Sequence, residues 1–128
     1  MRTRFLDRVR KIEIEKYSDL VRQFFQAFLS KDRPAVESAL ADDFTFNGPR
    51  HDHTDKAAYF ERCFQNGDKF RFHHIEQLFE SGSEVLVRYR AELIDGSKFR
   101  NTEYIRFEGH KIKKVDVYFG ASLTSRPS

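Results

Sequence analysis

After Gly67 the apolar pattern of this chain changes from a helical period to alternation, and that switch limits the fold more than any other feature. Before it, Leu20, Val21, Phe24, Phe25 and Phe28 follow the i, i+3, i+4 spacing of an amphipathic helix starting near Tyr17. Phe5, Val9 and Ile12 extend helix further upstream. Asp32 is suited to cap a second helix, with Pro34 in its first turn and Val36, Ala39 and Leu40 as its stripe. "FTFN" reads as a short strand ended by Gly48-Pro49. Thr54 then caps a third helix carrying Ala57, Phe60 and Phe64, which Asn66-Gly67 stops.

Beyond Gly67, "KFRFHHIEQLFE", "SEVLVRYRAELI", "KFRNTEYIRF" and "KIKKVDVYF" alternate as four strands. Ser81-Gly82, Asp95-Gly96 and Glu108-Gly109 connect them as hairpin turns. The order predicts an α+β domain: three N-terminal helices packed on one face of a curved antiparallel or mixed sheet. One domain spans 1–128, with a loose polar tail over 121–128.

Composition narrows the function classes. Fourteen Phe and five Tyr, with no Trp, make the apolar part rich in phenyl rings, which suits a core that leaves a cavity. The net charge of +3 comes from bases interleaved with acids, a solvated mixed surface and not a nucleic-acid footprint. Cys63 is alone, so there is no disulfide framework and no cysteine-based metal site. No apolar run approaches the ~18 residues of a membrane span and no signal-peptide core is present, so a reducing cytoplasm is the default location.

The element order, together with "DDFTFNGP", "FEGHKI" and "VDVYFG", resembles the nuclear transport factor 2-like (NTF2-like) superfamily over roughly residues 15–120. Within it the chain is similar to SnoaL-like proteins and ketosteroid-isomerase relatives. The resemblance implies a cone-shaped fold, a pocket between sheet and helices, and a homodimer formed through the outer face of the sheet. Laid over the isomerase pattern, the oxyanion-donating tyrosine falls on Phe24 and the catalytic base on Gly48, neither of which can do that chemistry. The acid of the meander survives as Glu103. The acids of the related epoxide hydrolases fall on Arg88 and Val117. Neither constellation is retained whole.

A two-residue turn at Asp95-Gly96 sets Arg88 opposite Glu103, Arg90 opposite Asn101 and Glu92 opposite Phe99. Alternation alone makes the other face of that strand, Val85 to Leu93, the core side. The resemblance instead turns Glu103 inward and buries the apolar face in a dimer. On that second reading Arg88, Arg90, Asn101 and Glu103 form a polar patch in a Phe-lined pocket, completed by Phe24, Tyr59, Val117 and Phe119. Arg88 holds Glu103 ionised, and Arg90 receives an anionic ligand oxygen. As a bare cross-strand ion pair, Arg88 and Glu103 contribute only solubility.

His51 and His53, in "NGPRHDHTDK", are placed at the pocket mouth as proton carriers; solvated loop residues or capping contacts are the alternatives. They lack a third ligand for a metal. His73-His74 sends one ring to each face of its strand, and a half-buried histidine bonded to a neighbour is the plain expectation. Cys63 belongs to the core. The ligand expected is small and hydrophobic or mildly anionic, with no metal or cofactor, and the chemistry a cofactor-free isomerase, cyclase or lyase step next to a carbonyl. The alternative is a non-catalytic dimerisation or interaction module.

Overall fold

The stripe that starts the chain's helical pattern turns inward on α1 (Tyr17–Leu29), burying Val21, Phe24 and Phe25. The structure, a computed structural model, describes residues 16–49 and 51–123, with the side chains of His51 and Ala121 outside that description. The helix expected around Phe5, Val9 and Ile12 therefore lies outside the described residues. Asp32 caps α2 (Arg33–Ala39): its carboxylate accepts the Ala35 N–H at 3.2 Å, satisfying one of the unpaired donors of the first turn. Leu40, read as part of the helix stripe, instead opens β1 (Leu40–Gly48), a longer strand than "FTFN" suggests.

The stretch read as a loop before the third helix is a strand, β2 (His51–Asp55), paired antiparallel with β1. Thr54 is buried within it and does not cap. Asp55 does, accepting the Ala58 N–H at 2.8 Å to start α3 (Lys56–Arg62). Asn66-Gly67 sits inside a 3₁₀ segment (Phe64–Lys69) that carries the chain into the sheet.

The four alternating strands are β3 (Phe70–Ser81), β4 (Glu84–Leu93), β5 (Lys98–Glu108) and β6 (Lys111–Ser122). With β1 and β2 they form one six-stranded sheet in the order β2-β1-β6-β5-β4-β3. Every neighbouring pair is antiparallel except β1 with β6, so the sheet is mixed. The tail expected from residue 121 does not begin there. β6 runs to Ser122, and the Leu123 N–H donates to the Lys98 carbonyl at 2.8 Å; residues 124–128 lie outside the described part.

The β4–β5 hairpin departs from the expected register by one residue, with large consequences. Leu93 N–H donates to the Ser97 carbonyl at 2.8 Å, so three residues, Ile94, Asp95 and Gly96, form the loop. Gly96 takes the left-handed φ of +91°, which a β-carbon would strain, and Asp95 accepts the Ser97 N–H at 2.9 Å. Glu103 therefore faces Val87, Asn101 faces Tyr89, and Arg88 faces Thr102. Because side chains alternate with period two, the one-residue slip moves Arg88 and Arg90 to the side opposite Glu103.

The two answers about the inward face thus merge. Val85, Val87, Tyr89 and Ala91 share one face with Asn101, Glu103, Ile105 and Phe107, and that face packs against the helices. The expectation that it is covered by a second copy fails, because it is already the core. Val115, Val117 and Phe119 stand opposite Ile105, Glu103 and Asn101 and join this face, an irregularity between Arg106 and Phe107 setting the register.

Candidate active site

Between the inner face of the sheet and the helices lies an open cavity of about 540 Å³. Its walls are phenyl rings from every layer: Phe24, Phe25 and Phe28 of α1, Phe44 and Phe46 of β1, Phe70 of β3 and Phe99 of β5. Polar groups on this wall are few, and their placement defines the chemistry.

Glu103 projects from the middle of β5 into the cavity. Its Oε2 accepts a hydrogen bond from the Tyr89 hydroxyl at 2.8 Å. That hydroxyl accepts in turn from Asn101 Nδ2 at 3.3 Å, and Asn101 Oδ1 accepts the Gly120 N–H at 3.3 Å. A backbone donor on β6 is thereby relayed through two side chains to one carboxyl oxygen. No hydrogen bond among the described residues reaches Oε1. Removal from bulk water pushes the Glu103 carboxyl up to about 7, and the Tyr89 hydrogen bond only partly offsets this. Arg88 does not hold it ionised; the electrostatics run the other way.

Tyr59 comes from α3, its ring fixed edge-on against Phe44 at 5.3 Å and Phe60 at 5.4 Å between centroids. It is buried and lines the cavity, and its hydroxyl has no hydrogen-bond partner among the described residues. Burial foremost, then the nearby Glu103 charge, raises its pKa well above the usual tyrosine value. A neutral phenol with an unused O–H therefore faces the cavity near a carboxyl that is half-protonated at neutral pH.

The remaining expected site residues divide cleanly. Phe24, Tyr59, Asn101, Glu103, Val117 and Phe119 all line the cavity, and so does Gly48, the position of the missing base. Arg88 and Arg90 do not. On the outer face Arg88 reaches Glu76 at 3.5 Å, while Arg100 grips the same carboxylate at 2.8 and 3.1 Å. That grip holds Glu76 below the ordinary glutamate range. The His53 ring stands 85% exposed, 3.7 Å from Asp52, and is not on the cavity wall. Its backbone takes a left-handed φ of +50° and donates N–H to Asn47 Oδ1 at 2.7 Å. His51 is on β2, with its side chain outside the described part. Among the described residues, no group of three His, Cys, Asp or Glu is placed to hold a metal ion. None of their helices is long and apolar enough to cross a membrane.

Sequence reasoning missed two wall residues. Tyr89, placed by alternation on the apolar face, falls on the side away from Glu103 until the register brings the two together. His73 lines the cavity without the expected neighbour bond: no hydrogen bond reaches either nitrogen among the described residues, and Nδ1 is sealed from solvent. Cys63 is buried at the cavity edge as a core residue, its thiol pushed up by burial.

Comparison with known proteins supports this architecture. A search of curated proteins finds no significant match. Among solved structures, an NTF2-like protein of unknown function from Cytophaga hutchinsonii superposes with a TM-score of 0.67 at 28% identity, covering 81% of this chain and 89% of the other. A LEH-like epoxide hydrolase from M. tuberculosis gives 0.66 at 20% identity, covering 79% and 80%. A candidate ketosteroid isomerase from Kribbella flavida gives 0.68 at 15% identity, covering 86% and 82%. At the lower identities these likenesses speak for the fold alone, the NTF2-like α+β fold. The SnoaL-like domain family matches residues 21–115, from the first buried valine of α1 to Val115 in the cavity wall, and this chain belongs to that family.

Proposed function

We propose that this chain binds a small, largely apolar carbonyl compound in its cavity and moves a proton on the carbon next to that carbonyl. Glu103 is the proton carrier. One observation supports this above all: a carboxyl held at about 7, with one oxygen fixed by Tyr89 and the other unbonded, inside an apolar chamber. In the ionised form Oε1 takes a proton from the α-carbon, and the electron pair moves onto the carbonyl oxygen. Tyr59 donates its O–H to that oxygen as negative charge develops. Glu103 then returns that proton to a conjugated carbon, an isomerisation, or first trades it with solvent and returns a solvent proton to the same carbon, an exchange. The step draws on side chains of this chain alone.

Hydrogen–deuterium exchange into a panel of cyclic ketones and enones, followed by NMR, tests the reading. The parent chain is expected to accelerate exchange for at least one member. Glu103→Gln should lower that rate by about a hundredfold or more, the usual scale for a positioned proton carrier, while keeping the fold. Exchange that survives in Glu103→Gln at the parent rate would remove Glu103 from the mechanism.

Self-association through the outer sheet face belongs to the same reading. Phe79, Leu86 and Tyr104 lie in one row across β3, β4 and β5, and Phe79 and Leu86 are exposed. An exposed apolar row among mixed charges suits a second copy of the chain. Sedimentation should show a dimer that Leu86→Asp splits into monomers; a parent chain sedimenting as a monomer would end the idea.

A further inference from the structure

We infer that His73 is a second ligand-anchoring residue of the cavity, so that the preferred ligand is a flat apolar molecule carrying a polar oxygen function at each end. The inference rests on the reading of the cavity as a small-molecule site. His73 sits in β3 inside a cage of rings: Phe70 at 4.7 Å, Tyr89 at 5.2 Å, Phe25 at 5.4 Å and Phe28 at 6.1 Å between centroids. None of these rings makes a hydrogen bond to the imidazole. Burial lowers the imidazole to about 4, so near neutral pH it carries one donor and one acceptor, both unused among the described residues.

A phenylalanine of nearly the same outline would fill this cage without an unpaired polar atom. A histidine here therefore asks for a partner; with Nδ1 sealed, Nε2 is the nitrogen left to meet one from the cavity that His73 lines. The geometry also fixes where the ligand's two polar ends belong. The Tyr89 ring packs against His73, and the Tyr89 hydroxyl bonds Glu103. The two polar stations are thus separated by about one tyrosine ring, with phenyl walls between them. A carbonyl or phenol at the Glu103–Tyr59 end and a hydroxyl or ketone at the His73 end meet both. A ligand with one oxygen leaves His73 as it is.

Two planar probes separate the cases: 2-naphthol, with one hydroxyl, and 2,6-dihydroxynaphthalene, with one at each end. Titration by fluorescence is expected to show the second binding the parent chain about tenfold more tightly, the worth of one good hydrogen bond. His73→Phe should bind both equally while folding normally, and Glu103→Gln should weaken both. The imidazole nitrogen NMR shifts of His73 should move with the dihydroxy probe and not with 2-naphthol. Equal affinities in the parent chain, a preference that persists in His73→Phe, or unmoved nitrogen shifts would each overturn this inference and leave the Glu103 reading standing. If neither probe binds the parent chain, both fall.

Discussion

Glu103→Gln is expected to become more stable than the parent chain as pH rises, by about 3 kcal/mol at pH 7 and above, with no difference below pH 4.5. The sign follows from proton counting. Glu103 is held at about 7 in the fold and titrates near 4.5 when unfolded. Between those values the folded chain binds more protons, so the parent loses stability as pH climbs through the window. Glutamine keeps the carbonyl that accepts the Tyr89 hydroxyl and has nothing to ionise. His73 pulls the other way: held at about 4 against 6.5 when unfolded, it adds stability as pH rises through that interval. The parent profile should therefore look flat from pH 4.5 to 6.5, because two buried groups cancel. Denaturant unfolding of parent, Glu103→Gln and His73→Phe across pH 4 to 8 separates them. The glutamine variant should slope upward and the phenylalanine variant downward. Parallel profiles for all three would mean that neither group is desolvated.

Gly120→Ala is expected to cost about 3 kcal/mol, lowering the melting temperature by roughly 10 °C, and to raise the midpoint of any Glu103-dependent activity. A β-carbon at Gly120 would lie 2.3 Å from the Arg100 carbonyl oxygen and 3.0 Å from its carbonyl carbon, so one strand must move. The β5–β6 register shifts here, between Phe99 and Asn101, which brings the two backbones this close. Moving β6 away also removes the Gly120 N–H from Asn101, freeing Asn101 from Tyr89 and Tyr89 from Glu103. Since the Tyr89 hydrogen bond lowers the Glu103 value, its loss lets that value climb. Gly82→Ala makes the control: at φ +60° with nothing within 4 Å, it should cost only about 1–2 kcal/mol and leave the activity profile unmoved.

The fold was legible because its two periods are strong: the stripe of α1 and the alternation of β3 to β6 both follow the sequence pattern closely. β2 was not, since "HDHTD" has no apolar residue to mark a face, and among its described side chains only Thr54 is buried. Within the cavity, Glu103, Phe24, Val117 and Phe119 could be reached with the resemblance, and Tyr59 from its place on an amphipathic helix. Arg88 and Arg90 were misplaced by one assumption about loop length at Asp95-Gly96. Tyr89 and His73 were hidden for a related reason: a side chain's partner across a sheet is invisible until the register is known, and His73 also sits before a β3 irregularity between Ile75 and Gln77.

The loop Ile94–Gly96 therefore acts as a parity bit for the cavity wall. With three residues, the odd-numbered side chains of β4 and β5 look inward together, setting a lone carboxyl amid hydrocarbon. With one residue fewer, Glu103 would share a face with Arg88 and Arg90, and if the apolar residues of β4 kept the core the acid would leave the cavity. In this scaffold, the length of a remote bend decides whether the carboxyl meets hydrocarbon or water.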